Sequence, residues 1–254
     1  MAENVRHEKV EMVDPNEDAI VDSILEGLPD NVEMTVLPPS KCRFYALDDP
    51  DKSITIKPLT FEDEKFLSKT KQSQNIVNVL LERCVSNVSI PQLLLMDKIY
   101  LLLKIREASF GDEIQTIDYC KSCNFENTLT FFISELKINY YPDDIDIPIT
   151  LDLPVLKKTV KVRFPRVSDE EHLMDSSRMF DNMWRFVEDI DGNTKKSVIN
   201  KVIQRLPAKD LNVILKTAFG TQYGVQTKGQ YECDGCGELN AVEVSVTEDF
   251  FAPS

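Results

Sequence analysis

The sequence predicts an α+β protein: a helical N-terminal half joined to a β unit that rests on two Cys-x-x-Cys hairpins, with a long, mainly helical insertion between them. Three observations predict it. Apolar residues recur at helical spacing over 76–84 and 91–110; they alternate at strand spacing in several shorter stretches; and each cysteine pair, Cys120 with Cys123 and Cys233 with Cys236, is flanked by alternating segments.

The chain has 254 residues, 42% of them hydrophobic, enough to fill a core. Its longest apolar stretches, 93–96 and 99–103, are split by Asp97 and Lys98. Both fall far short of the roughly 20 residues that cross a bilayer, so no membrane partner is expected. The N-terminus carries charge throughout and lacks the apolar segment of a secretory signal, so the chain is expected to stay in the cytoplasm with reduced thiols. A formal charge of −14 argues against binding phosphate backbones, which rests on basic patches.

Residues 1–30 form an acidic arm. Glu3, Glu8, Glu11, Asp14, Glu17, Asp18, Asp22, Glu26 and Asp30 stand against Arg6 and Lys9, nine acids to two bases, which leaves −7. Within it Ile20, Ile24 and Leu28 repeat every four residues between Pro15 and Pro29, which fits either one short amphipathic helix ordered by a partner or a disordered acidic tail that keeps the protein soluble.

Residues 31–113 are expected to hold strands followed by three helices. Val32, Met34 and Val36 alternate with polar residues, as do Cys42, Phe44 and Ala46, and then Ile54 and Ile56. Thr60 with Asp63 resembles a capping box that opens a helix ending near Thr70. Ile76, Val77, Leu80, Leu81 and Cys84 make one buried stripe of a second helix. A third is expected from Pro91 to a stop at Gly111, apolar around most of its circumference and therefore central. Cys42 and Cys84 fall on apolar positions and are read as core residues. Arg106, near the end of the central helix, is given a structural role.

Residues 114–254 are expected to form a split unit with an insertion over about 134–224. Strands are predicted around Ile149 and Leu151 and around Val160, Val162 and Phe164. Ser168 with Glu171 predicts the capped start of a helix from Asp169 to about Met183 that buries Leu173, Met174 and Phe180. Asp191-Gly192 marks a turn, Val198 to Ile203 a helix, and Lys209 to Phe219 another ending at Gly220.

The chemistry sits in Cys120-Lys121-Ser122-Cys123 and Cys233-Asp234-Gly235-Cys236. Two residues between cysteines let a tight turn aim both sulfurs at one ion, and Gly235 and Gly237 allow the positive φ such turns require. Ile114, Thr116 and Asp118 lead into the first pair, and Thr128, Thr130 and Phe132 leave it. Val225 to Tyr231 lead into the second, and Val242, Val244 and Val246 leave it. This is the layout of a zinc ribbon, with Cys120, Cys123, Cys233 and Cys236 as the ligands of a structural Zn2+. The 109 residues between Cys123 and Cys233 far exceed the roughly 15–20 of a compact ribbon, which is why the intervening segment is read as an insertion. Four thiolates leave no open position for water or substrate, so the metal role is structural.

Catalysis finds little support. His7 lies in the arm and His172 on a helix with no nucleophile motif nearby, no Gly-rich phosphate loop occurs, and Asp143, Asp144 and Asp146 lack the spacing of a calcium loop. No enzyme and no small-molecule substrate are expected. The alternative class is a zinc-ribbon nucleic-acid-binding regulator.

The segments Ile56-Lys57-Pro58-Leu59-Thr60-Phe61-Glu62-Asp63-Glu64-Lys65 and Asp97-Lys98-Ile99-Tyr100-Leu101-Leu102-Leu103-Lys104-Ile105-Arg106-Glu107-Ala108-Ser109-Phe110-Gly111, the second just ahead of Cys120, resemble the baseplate hub protein family of T-even-type contractile phages. The resemblance covers about residues 30–250. It implies a hub component or hub assembly protein that works by contact with other hub or tail proteins, in the host cytoplasm during assembly and then either kept in the tail baseplate of the virion or released after assembly.

Overall fold

The computed structural model describes residues 19–21, 23–24, 33–47, 53–69, 76–173, 176–220, 222–244, 246 and 248–251. The chain divides into two units, Met1–Glu33 and Met34–Ser254. In the first, residues 19–21 and 23–24 are helical; Leu28, the last residue of the expected stripe, lies outside the described residues.

The second unit opens with β1 (Met34–Val36), β2 (Ile54–Ile56) and β3 (Val85–Ser86), an antiparallel sheet in that order. The alternation at Cys42, Phe44 and Ala46 does not make a strand. Residues 39–44 form turns, with positive φ at Lys41 and Cys42. The cause is a distant carboxylate: Asp97, fully buried, accepts hydrogen bonds from Ser40 N at 3.0 Å and Tyr45 Oη at 2.5 Å. Cys42 is nonetheless buried, as a core residue should be.

Helix α1 (Phe61–Lys69) begins at the expected box, where Asp63 Oδ2 accepts from Thr60 N at 2.9 Å and Asp63 N donates to Thr60 Oγ1 at 3.3 Å. Helix α2 (Ile76–Cys84) buries Ile76, Leu80, Leu81 and Cys84. The central helix α3 (Leu95–Phe110) starts later than Pro91 implies, because Pro91 lies in a separate 3-10 turn over Ile90–Gln92 and Leu94 bridges to Arg166. It stops at Gly111, whose φ of 90° suits glycine and whose N–H closes on Glu107 O at 3.0 Å. Leu101, Leu102, Leu103 and Ile105 are at most 1% exposed and centre a core with α2, β2 and the C-terminal Phe250 and Phe251.

Two hairpins follow the same plan. One pairs β4 (Glu113–Tyr119) with β5 (Glu126–Phe132); the other pairs β11 (Lys228–Glu232) with β12 (Leu239–Glu243). Between them β6 (Ile138–Asn139) pairs with β10 (Gly224–Val225), and β7 (Ile149–Asp152), β8 (Thr159–Val162) and β9 (Val187–Ile190) form a second antiparallel sheet. Against that sheet pack α5 (Lys196–Ile203) and α6 (Ala208–Phe219), enclosing a separate core of Leu153, Val160, Val162, Phe186, Val187, Ile199 and Ile214 among others. An aromatic cluster of Tyr141, Phe164 and Tyr223, with Tyr141 stacked on Tyr223 at 4.4 Å, adjoins Leu94 before the central helix.

The continuous helix expected from Asp169 to Met183 is instead three pieces: a 3-10 segment Val167–His172, α4 (Ser176–Asn182), and a 3-10 segment Met183–Phe186. Asp169, not Ser168, is the capping side chain. Its Oδ2 accepts from Arg166 N at 2.8 Å while Arg163 grips both carboxylate oxygens at 2.7 and 2.9 Å. That fork fixes a tight turn that an α-helix cannot continue. Phe180 is therefore 51% exposed, and Met183 and Phe186 take the core positions; Met174 lies outside the described residues. Among the described residues no helix is long and apolar enough to cross a membrane.

Candidate metal centre

Each hairpin turn is built the same way. After Cys120 the chain closes with Asn124 N on Cys120 O at 2.9 Å and Cys120 N on Phe125 O at 3.0 Å; after Cys233 it closes with Gly237 N on Cys233 O at 2.8 Å and Cys233 N on Glu238 O at 2.9 Å. Ser122 N and Gly235 N each donate to the first sulfur of their own turn at 3.4 Å. The left-handed residue follows the second cysteine in both: Asn124 at φ 56° and Gly237 at φ 74°. Gly235, expected to supply positive φ, serves differently. A Cβ there would stand 2.7 Å from the Phe125 ring, so glycine allows the two hairpins to approach.

The approach brings all four sulfurs within 4.8 Å of one another, with Cys120 to Cys236 and Cys123 to Cys233 both at 3.7 Å. A tetrahedron of thiolates around zinc at about 2.3 Å has edges of about 3.8 Å, so the donor set fits such an ion. Cys120 and Cys233 are buried while Cys123 and Cys236 are exposed, which puts the cluster at the surface end of the hairpins. Among the described residues these are the side chains of His, Cys, Asp and Glu close enough to share one ion.

The electrostatics suit a cation. Backbone N–H groups of Cys123 and Ser122, with the Asn240 amide, lower the Cys120 thiol to about 6, burial opposing them. At Cys236 the Glu238 N–H pulls downward, yet the neighbouring thiols and burial carry the group up to about 12. Four sulfurs this close cannot all hold charge unless something positive sits among them.

Two asparagines cross-brace the site. Asn240, on the second hairpin, accepts from Lys121 N at 3.1 Å and points its amide at Cys120 Sγ at 3.4 Å. Asn127, on the first, accepts from Asp234 N at 3.0 Å and points its amide at Cys233 Sγ at 3.8 Å. Both are buried. Sequence reading missed them, although the signal is present: Cys-x-x-Cys-x-x-x-Asn occurs twice, at 120–127 and 233–240. Tyr231 Oη adds a bond to Asp118 Oδ2 at 2.7 Å between the hairpins.

The other candidates lie elsewhere. Cys84 is buried in the first core, and burial pushes its thiol up to about 12. His172 is half-buried beside Glu171 at 3.2 Å. Asp143 takes Lys41 Nζ at 2.5 Å in an exposed loop. His7 lies outside the described residues. Arg106 is 5% exposed between the rings of Phe110 and Phe250, donates through Nη2 to Glu113 O at 3.3 Å, and has no partner for Nε or Nη1 among the described residues.

Fold and site define a mixed α+β protein whose two distant hairpins are joined at a four-cysteine cluster. The family described as T4 bacteriophage base plate protein matches residues 41–252, and the chain belongs to it. It is a T4-type phage baseplate structural protein, and its family places its partners among baseplate and tail proteins. No curated protein and no solved structure matches the chain.

Proposed function

We propose that the chain is a structural or assembly (chaperone-like) protein of the baseplate hub, acting by protein–protein contact, with Zn2+ held by Cys120, Cys123, Cys233 and Cys236. The observation that carries the metal part is the convergence of the four sulfurs within 4.8 Å across 109 intervening residues. Zinc supplies no reaction in a closed thiolate site; it fixes the two hairpins as one rigid end of the body. The family supports the baseplate part of the proposal, and the hub part rests on the resemblance of residues 56–65 and 97–111 to hub proteins. A structural family and a site with no position for substrate support a role without catalysis.

Two measurements test it. Metal analysis of the purified chain should find about one zinc per chain; iron or no metal rejects the zinc assignment. Tagged chain isolated from infected cells should carry hub proteins with it, whereas recovery with wedge or tube proteins alone rejects the hub assignment.

A further inference from the structure

From Lys195 to Lys209 the chain places five cations, Lys195, Lys196, Lys201, Arg205 and Lys209, and no acidic residue, against an overall charge of −14. The outer side of α5 orders part of this charge. Val198 and Val202, continued by Leu206, form an apolar row with four-residue spacing, and Lys201 and Arg205 form a basic row beside it. With Leu156 and Pro207 they line an open groove of about 300 Å3. Its apolar edge faces water, since Leu156 is 40% and the adjacent Val155 49% exposed. That edge is held in place: buried Asp210, in the first turn of α6, accepts from Val155 N and Leu156 N, each at 2.8 Å.

The acidic arm has the complementary pattern. Ile20, Ile24 and Leu28 repeat every four residues, and Asp18, Asp22 and Glu26 form an acidic row with the same spacing two positions earlier. Ile20, Val21 and Ile24 are 51%, 50% and 72% exposed. We propose that the α5 groove receives the acidic arm of a second copy of this chain. Rows spaced by four are the ridges that interlock when helices pack, and the basic row flanking the groove selects an acidic partner over a neutral or basic one. Isolated helices of this length are marginal in water, so docking supplies the burial the arm needs. The groove floor is aliphatic and offers no ring on which a nucleic-acid base would stack, which favours a protein occupant.

Sedimentation of the full chain over a range of concentration and salt is the test, with thermal melts to show that each variant folds. Concentration-dependent association that weakens with salt is expected. It should fall at least about tenfold in the double variant Lys201→Glu with Arg205→Glu, fall likewise in Ile20→Asp with Ile24→Asp, and return when the first pair is combined with Asp22→Lys and Glu26→Lys. A labelled peptide of residues 14–30 should bind the full chain and lose that binding in the Lys201/Arg205 variant. A chain that stays monomeric at every concentration, or associates regardless of Lys201 and Arg205, overturns the proposal. So does protection of the arm from protease that is independent of concentration and lost in the Lys201/Arg205 variant, which would assign the groove to the chain's own arm. A random-sequence oligonucleotide bound through the same two residues would assign the face to nucleic acid and equally overturn it.

Discussion

Asn127 and Asn240 exchange places. Each stands seven residues after the first cysteine of its own hairpin, yet each caps the turn of the other, Asn127 on Asp234 N and Asn240 on Lys121 N. The brace is thus shared between halves that 109 residues of chain hold apart, and each half supplies what the other lacks.

Removing either brace should loosen the cluster. Asn127→Ala or Asn240→Ala removes a part-buried hydrogen bond to the other hairpin's backbone and an amide contact to a cysteine sulfur, at a cost of about 0.5–1.5 kcal/mol in stability for each hydrogen bond lost. Outer partners of metal ligands typically contribute about 10–100-fold in affinity, and a zinc competition titration against a chelator should read a loss of that order. An asparagine confined to packing would leave the titration unchanged.

On the proposed zinc assignment, withdrawing the metal should separate the hairpins and spare the insertion. With zinc about a thousandfold above its Kd, chelation removes about 4 kcal/mol. Limited proteolysis should then cut near 114–132 and 228–243 first, while the core around Val160, Phe186 and Ile214 resists longer. Cys233→Ser should reproduce the pattern without chelator. Uniform digestion of the whole body would reject the zinc assignment as the tie between hairpins.

Asp97 should give the protein a specific acid-range signature. Burial raises its carboxyl from 3.8 to about 6 despite hydrogen bonds from Ser40 and Tyr45. Between those values the folded chain keeps a proton that the unfolded chain has released, so stability declines as pH rises from about 4 to about 6 and is level above. The whole decline amounts to about 3 kcal/mol. Asp97→Asn should abolish it. Urea unfolding of both proteins across the window checks this, and their difference cancels the titration of the shared thiols.

Arg106 is a charge buried without an acid among the described residues, held by two rings and one carbonyl. Desolvation lowers its pKa accordingly. Arg106→Met keeps most of the volume and removes the burden, so stability should be unchanged or rise by about 1–2 kcal/mol in chemical denaturation. A large loss would mean that the guanidinium has a stronger partner than Glu113 O.

Much of the fold is legible in local pattern. The stripe Ile76 to Cys84, the box at Thr60 and Asp63, the helix ending at Gly111 and both cysteine hairpins follow from spacing alone, because each is decided by neighbours within a turn or a strand pair. The misread segments are those where a distant polar group overrides local periodicity. Asp97 reshapes 39–45 from fifty residues away, and the fork of Arg163 on Asp169 breaks a helix that Leu173 and Phe180 would otherwise continue. At the site, the four cysteines announce themselves by paired spacing, whereas the asparagines emerge only when the two stretches are aligned and their crossed contacts are seen.

The separation of the two hairpins has a consequence for synthesis. At roughly 5–20 residues per second, the first thiol pair leaves the ribosome on the order of ten seconds before its mate. On the zinc reading, a nascent chain therefore carries half a clasp, too weak to retain an ion, while the insertion condenses around its own apolar centre. The ion arrives as a late fastening, and only a molecule translated past Cys236 offers a closed clasp to the growing tail.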